Sequence, residues 1–295
     1  PPGDPATWCG APCAGAITDG AVWGRGAADD KGPIAAALTA LQSYPGCRRL
    51  LVSLCNDEEL HMRGIQAIMV DAAVQAATQA IALEPTRLAP VFAHKGNARI
   101  RVEVQGRPGH ASRPWAAKNA VEDKLRLIAA VQAWFAAGEG LRRVPAFGDE
   151  PGTLVITREV TPNATYNVIP DRASYWYNYR PLPGGGRPVD ALLETLAGEA
   201  QRLGVIASAA VEFLVPSLFT PPETPLVRTL AEITGRTPEW APYGTHAGHL
   251  ADGRRDVVVF GPGDLAVVHR ENEHITLAAL DEGVEAFQAV LAALG

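Results

Sequence analysis

The stretch RLLVSLCNDEEL, residues 49–60, sets a continuous apolar run against three adjacent carboxylates, Asp57, Glu58 and Glu59. An uninterrupted apolar run of this length predicts a strand buried on both faces, as in a parallel sheet covered by helices. Carboxylates just past such a strand stand where open α/β sheets bind their ligands, outside the carboxyl ends of the strands. Working outward, PIAAALTALQSY (33–44) predicts a helix with Pro33 in its first turn. IQAIMVDAAVQAA (65–77) predicts another helix, and QAIALEP (79–85) a second short buried strand. The alternation predicts a mainly parallel sheet with helices on both sides.

The periodicity then changes. NARIRVEVQG (97–106) alternates apolar and polar residues, as a half-exposed strand does. A helix is expected over about Ala116 to Ala137, strands over TLVITREV and ASYWYNYR, a helix over VDALLETLAGEAQRLG and a strand over AAVEFLV. This β-α-β-β-α-β order is the ferredoxin-like unit, one antiparallel sheet under two helices. It predicts an inserted α+β domain at 95–213 inside a catalytic domain formed by 1–94 and 214–295. After a proline-rich crossing, PLVRTLAEITG predicts a helix stopped by Gly235, DVVVFGPG a strand with its exit loop, and TLAALDEGVEAFQAVLAAL a long closing helix.

The 295 residues carry a net charge of −6, 47% hydrophobic and 20% charged residues. These proportions describe an ordinary globular protein and give no support to a nucleic-acid partner, which favours a basic surface. No apolar run is long enough for a membrane span and no signal-peptide pattern opens the chain, so a cytoplasmic setting is expected. The first residue is Pro1, which reads as a fragment or processed piece. Cys9, Cys13, Cys47 and Cys55 lack the second pair of a zinc finger, and a reducing compartment is the simpler expectation.

Acidic and histidine residues recur just past the expected strands: Asp57, Glu58 and Glu59, then Glu84, then Asp264 and His269. GRGAADDKG (24–32) adds Asp29 and Asp30 at the mouth of a helix. Taken singly, each acid is more often a helix cap or a solvated loop residue, and a lone histidine is more often structural. Taken together they aim carboxylates and an imidazole at one sheet edge. Unpaired carboxylates there raise each other's pKa, and divalent cations relieve that. A carboxylate and imidazole set suits zinc, cobalt or manganese, and two metals sharing a bridging carboxylate make a hydrolytic site.

These residues resemble the di-metal aminoacylase and deacylase family of co-catalytic zinc peptidases. The similarity runs through GRGAADDKG, NDEELHMRG, LEPTRLAPVFAHKGNARIRVEVQGRPGHASRP, NVIPD, YRPLPG and VVFGPGDLAVVHRENEHI, in order and over nearly the whole chain. The resemblance implies two divalent metal ions, zinc first and cobalt as the alternative. Asp29 would bridge them, Glu59 and His269 would hold one, and Glu84 the other. Glu58 would be the general base. His110 would reach across a homodimer interface to stabilise the oxyanion, and Asn167 and Arg180 would bind the substrate carboxylate. A guanidinium suits that task because its planar fork pairs with a carboxylate bidentately. Asn119, although part of the matching motif, reads as a helix cap.

The implied reaction is deacylation of a small N-acyl amino acid in amino-acid and arginine biosynthesis, with acetylornithine first and acetylcitrulline next. Alternatives are a succinyl-diaminopimelate desuccinylase-like or carboxypeptidase-like hydrolase, or a silent dimerising or ligand-binding relative. The inserted domain would serve as lid and dimerisation module. Three departures stand out. The family's His-x-Asp motif would precede Pro1, which reads as an N-terminal truncation that leaves one metal ligand out and impairs the chain as given. His246 and Asn178 stand where relatives often carry acids, which bears on specificity. His246 and His249 are either extra ligands or loop histidines near the pocket.

Overall fold

The structure, a computed structural model, describes residues 3–44, 46, 49–163 and 165–294. Strands β1 (Ala16–Thr18) and β2 (Ala21–Trp23) form a hairpin turned at Asp19-Gly20, where both residues have positive φ, the primed turn that matches strand twist. Helix α1 (Gly32–Leu41) follows, with Pro33 in its first turn as expected. The single helix expected over 65–77 is instead two, α2 (Arg63–Ile68) and α3 (Ala72–Ala76). Asp71 divides them: its carboxylate accepts from the N–H groups of Ala73 and Val74 and caps the second. An aspartate competes for backbone donors in this way, and helical periodicity alone does not register it.

Strands β3 (Gln79–Ala82), β4 (Val91–His94), β5 (Asn97–Gln105) and β6 (Gly109–His110) come next. They are followed by α4 (Ala120–Ala137), β7 (Thr153–Val160), β8 (Val168–Ile169), β9 (Arg172–Arg180), α5 (Pro188–Leu203) and β10 (Ile206–Val215). The chain closes through β11 (Leu218–Phe219), α6 (Pro225–Thr234), β12 (Glu239–Ala241), α7 (Ala247–Leu250), β13 (Asp256–Val259), β14 (His274–Thr276) and α8 (Leu277–Leu294). Two compact units result. One comprises Pro1–Ala93, Leu218–Ala241 and Thr245–Gly295, the other His94–Ser217 and Pro242–Gly244.

In the first unit the main sheet runs β11-β4-β13-β3, with β12 paired to β4. Strands β13 and β3 are parallel, with Val259 opposite Ala82, and β4 joins antiparallel. Val257, Val258, Val259 and Phe260 are fully buried, the mark of a strand covered on both faces. The run Arg49 to Cys55, expected to be such a strand, forms none, and Leu50, Leu51, Val52 and Leu54 are 46–64% exposed. Apolarity supplies the reason to bury a strand, but a strand also needs a ladder partner for its N–H and C=O groups. No partner strand lies beside this run among the described residues. A smaller sheet, β1-β2-β14, pairs Trp23 with His274 and Ala21 with Thr276.

The second unit is the expected β-α-β-β-α-β arrangement, an antiparallel sheet of order β10-β5-β9-β7 with α4 and α5 packed on it. Along β9, Tyr175, Tyr177 and Tyr179 are fully buried while Trp176 and Asn178 between them are not. Their face joins Ile100, Val102 and Val104 of β5 and Leu127, Val131, Leu192 and Leu196 of the helices in one core. Period-two alternation on the strands and an apolar stripe on each helix are what close this layer. The expected helix start at Ala116 is a short 3-10 turn over Pro114–Ala116, and α4 itself begins after Asn119.

Candidate metal centre

Two sheet connections gather the site. Because β2 and β14 are neighbours, the loop after β2, which carries Asp29, meets the loop before β14, which carries His269. Because β3 and β13 are parallel neighbours, Glu84 and Gly261 leave the same sheet edge together, and the N–H groups of Thr86 and Leu88 donate to the Gly261 carbonyl. The turn that presents Asp29 depends on two glycines. Gly26 has φ +80, and a Cβ on Gly32 would lie 2.4 Å from the Ala27 carbonyl oxygen. The peptide between Asp29 and Asp30 is cis.

Asp29, Glu59 and His269 each offer a ligand atom within 4.8 Å of the other two. His269 Nε2 lies 2.8 Å from Glu59 Oε1 and 3.2 Å from Asp29 Oδ2. Burial pushes the Asp29 carboxyl up to about 6, and the charge of Glu59 adds to it. Glu58 sits beside the cluster, half-buried, its carboxyl pushed up to about 7 by burial and then by Glu59, Asp29 and Asp30. Glu84 is raised well above the usual carboxylate range by burial, with Asp29, Glu58, Asp30 and Glu59 all contributing. Burial works against protonated His269, but the hydrogen bond and charge of Glu59 outweigh it and raise its pKa. Asp29, Asp30, Glu58, Glu59 and Glu84 thus share one field, offset by His269 beside Asp29 and Glu58 and by Lys31 beside Asp30. Nitrogen and oxygen donors so arranged fit a borderline divalent cation, which would take up the negative charge.

The other residues singled out in the sequence lie elsewhere. His110 is exposed in the second unit, where β6 pairs with β8 and His110 faces Val168. The Ser112 N–H donates to His110 Nδ1 at 3.2 Å, so the neutral ring carries its proton on Nε2. The Asn167 carbonyl accepts from Ala111 N–H, so the two neighbouring segments are tied. A cavity of 410 Å³ adjoins them, lined by Asn119, Asn163, Thr165, Tyr166, Ile169 and others. Arg180 ends β9, its Nε donating to Asn178 Oδ1 at 2.9 Å, and burial lowers its pKa. Asn119 caps α4, its side-chain oxygen accepting from Val121 and Glu122 N–H. Asp264 caps a 3-10 turn by accepting from Ala266 N–H.

His246 and His249 lie at the two ends of the short α7, each with a buried Nε2 lacking a hydrogen-bond partner among the described residues. Burial, then His249, pulls His246 down to about 4. Cys9, Cys13 and Cys55 are free thiols, and Cys47 lies outside the described residues. No helix among the described residues is long and apolar enough to cross a membrane. Glu273 and Arg25, absent from the sequence-derived site, border the cluster: Glu273 Oε1 accepts from the N–H groups of Ala28 and Asp29. A carboxylate buried against backbone donors leaves no periodic signal, and only its place inside the ENEHI motif points to it.

Residues 1–293 match the description Peptidase family M20/M25/M40. An acetylornithine deacetylase of Myxococcus xanthus is 34% identical over 278 residues, 89% of this chain and 70% of that protein. An N-acetyl-L-citrulline deacetylase of Xanthomonas campestris pv. campestris is 30% identical over 93% of this chain and 74% of its own length. Among solved structures, aminopeptidase PepT from Bacillus cereus ATCC 10987 superposes with a TM-score of 0.73 at 21% identity, over 95% of this chain and 75% of that one.

Proposed function

The chain belongs to peptidase family M20/M25/M40, a hydrolase of linear amides, and on that premise we propose that it deacylates a small N-acyl amino acid at a centre of two divalent cations. The observation that carries the proposal is the convergence of Asp29, Glu59 and His269 with the half-buried Glu58 beside them. Asp29 would bridge the cations, with Glu59 and His269 on one and Glu84 on the other. Zinc is the expected ion. Bound cations of this kind lower the pKa of water and polarise an amide carbonyl.

Glu58 supplies the proton chemistry. A carboxylate beside the cations, and not on them, can accept a proton from attacking water and deliver it to the leaving nitrogen. Hydrolysis then yields a carboxylate and a free amine. His110, with its proton on Nε2, would donate to the oxyanion from a partner subunit in a homodimer formed through the inserted domain, residues 95–213. Asn167 and Arg180 would hold the substrate carboxylate. Acetylornithine is the proposed substrate and acetylcitrulline the next, supported by likeness to the relatives above, and the proposed setting is arginine biosynthesis in the cytoplasm.

A panel of N-acetyl, N-succinyl and dipeptide substrates, assayed with zinc or cobalt added and after chelation, tests the reading. Metal-dependent release of acetate from acetylornithine or acetylcitrulline supports it. Preference for succinyl or dipeptide substrates would reassign the substrate class, and full activity after exhaustive chelation would contradict the metal chemistry.

A further inference from the structure

Glu273 is an acid the proposed chemistry does not use, yet it is fully buried one turn of chain from His269. A buried carboxylate is costly unless its oxygens are satisfied. Here both are. Oε1 accepts from the N–H groups of Ala28 and Asp29, each at 3.0 Å, and Oε2 accepts from Arg25 Nη1 at 2.7 Å. The second arm of Arg25, Nη2, donates to the Arg270 carbonyl at 3.1 Å, next to His269. Gly24 N–H donates to the Glu273 carbonyl, Arg25 N–H to the Pro12 carbonyl and Cys9 N–H to Asn272 Oδ1. The Arg25 guanidinium lies 5.2 Å from the centre of the Trp8 ring.

The loop so pinned is not one that forms unaided. His269 has φ +60 and Asn272 φ +63, left-handed conformations that non-glycine residues adopt only when their surroundings hold them. Its hydrogen bonds reach both sides of the metal cluster: Glu273 grips the backbone of Asp29, and Arg25 joins that grip to the backbone beside His269.

We propose that Glu273, acting with Arg25, is a positioning residue for the metal centre, fixing the Asp29 and His269 ligands at one separation whether or not a cation is bound. The proposal rests on the metal-centre reading above. Groups that orient metal ligands typically contribute ten- to a hundredfold in affinity. A merely structural role, as a tie between β2 and β14, would lower the melting temperature without that change.

The test is calorimetric titration of the metal-stripped chain with zinc, beside melting curves of the metal-free proteins. Glu273→Gln keeps the shape and one acceptor oxygen but loses the charge pairing with Arg25. Its zinc affinity should fall about 10- to 100-fold while full stoichiometry returns at saturating zinc. Arg25→Lys keeps a cation for Glu273 but loses the fork that also reaches Arg270, and should weaken zinc binding by about tenfold, the low end of that range. It carries the test if Glu273→Gln does not fold. Zinc affinity within about twofold of the parent in the folded variant, whatever its melting temperature, would overturn the positioning role. Asp29→Ala is the control for the underlying reading. If the parent binds no zinc, or Asp29→Ala binds it as the parent does, the metal centre and the positioning role fall together.

Discussion

The carboxylate cluster around Asp29 and the histidine-bearing face of the second unit hold their polar groups in opposite ways. Burial and mutual repulsion raise the carboxyl pKa values of Asp29, Glu58 and Glu84, an arrangement that suits a cation from outside. Around His110 and Asn167, the side chains are exposed and the backbone is self-satisfied, with β6 paired to β8 and Ala111 bonded to Asn167. In the proposed reading, electrostatic tension marks the place for metal and proton chemistry, while the exposed His110 and Asn167 serve contacts to the substrate. On this account, substitutions in the first region change turnover or metal content, and those in the second change transition-state contacts or substrate affinity.

The largest expected effect is at Glu58. Glu58→Ala should retain its metal and lose kcat by about 10²- to 10⁴-fold, read by steady-state kinetics beside metal analysis. Surviving turnover would remove Glu58 as the proton carrier and erase the contrast. His110→Ala should come next, with kcat down about 10²-fold and zinc content unchanged, since a lost oxyanion donor acts on the transition state. A fall in zinc content instead would place His110 among the ligands. Arg180→Lys should raise KM about tenfold with kcat nearly constant, because one charge remains but the bidentate fork is lost. A drop in kcat alone would move Arg180 from recognition to chemistry.

The smallest effect concerns stability and lies outside both regions. His246 has a folded pKa near 4, below its ordinary 6.5, because burial penalises its charged form. Between those values the unfolded chain holds a proton that the folded chain does not, so stability rises with pH. The contribution is fully present above about 6.5 and is lost as pH falls towards 4. His246→Gln should flatten the melting temperature against pH over that window by the equivalent of about 1–2 kcal/mol, allowing for partial exposure. An unchanged curve would show that His246 titrates normally.

Two apolar runs show how far the sequence reaches. DVVVF (256–260) and RLLVSLC (49–55) look alike, yet the first is buried between β3 and β4 and the second is unpaired and exposed. Hydropathy reports what a strand gains by burial, while pairing depends on distant chain that no local window contains. The inserted β-α-β-β-α-β order was legible because alternation in β9 and the helix stripes carry their own period. Glu58, Glu59 and Glu84 were singled out from their places beyond expected strands, even where the strand before Glu58 did not form, and Asp29 from its place at the mouth of a helix. Glu273 was not, since its partners are backbone N–H groups that are some 245 residues away in sequence. Asp71, which breaks a helix by capping the next, was missed for a local version of the same reason.

The measurement that bears most directly on the account is the zinc stoichiometry of the purified, chelated and reconstituted chain, set against that of Asp29→Ala. Tight zinc binding by the parent and its loss in the variant are expected, since Asp29 is one of the three converging ligand residues. Equal zinc uptake by the two proteins, or none by the parent, would contradict it.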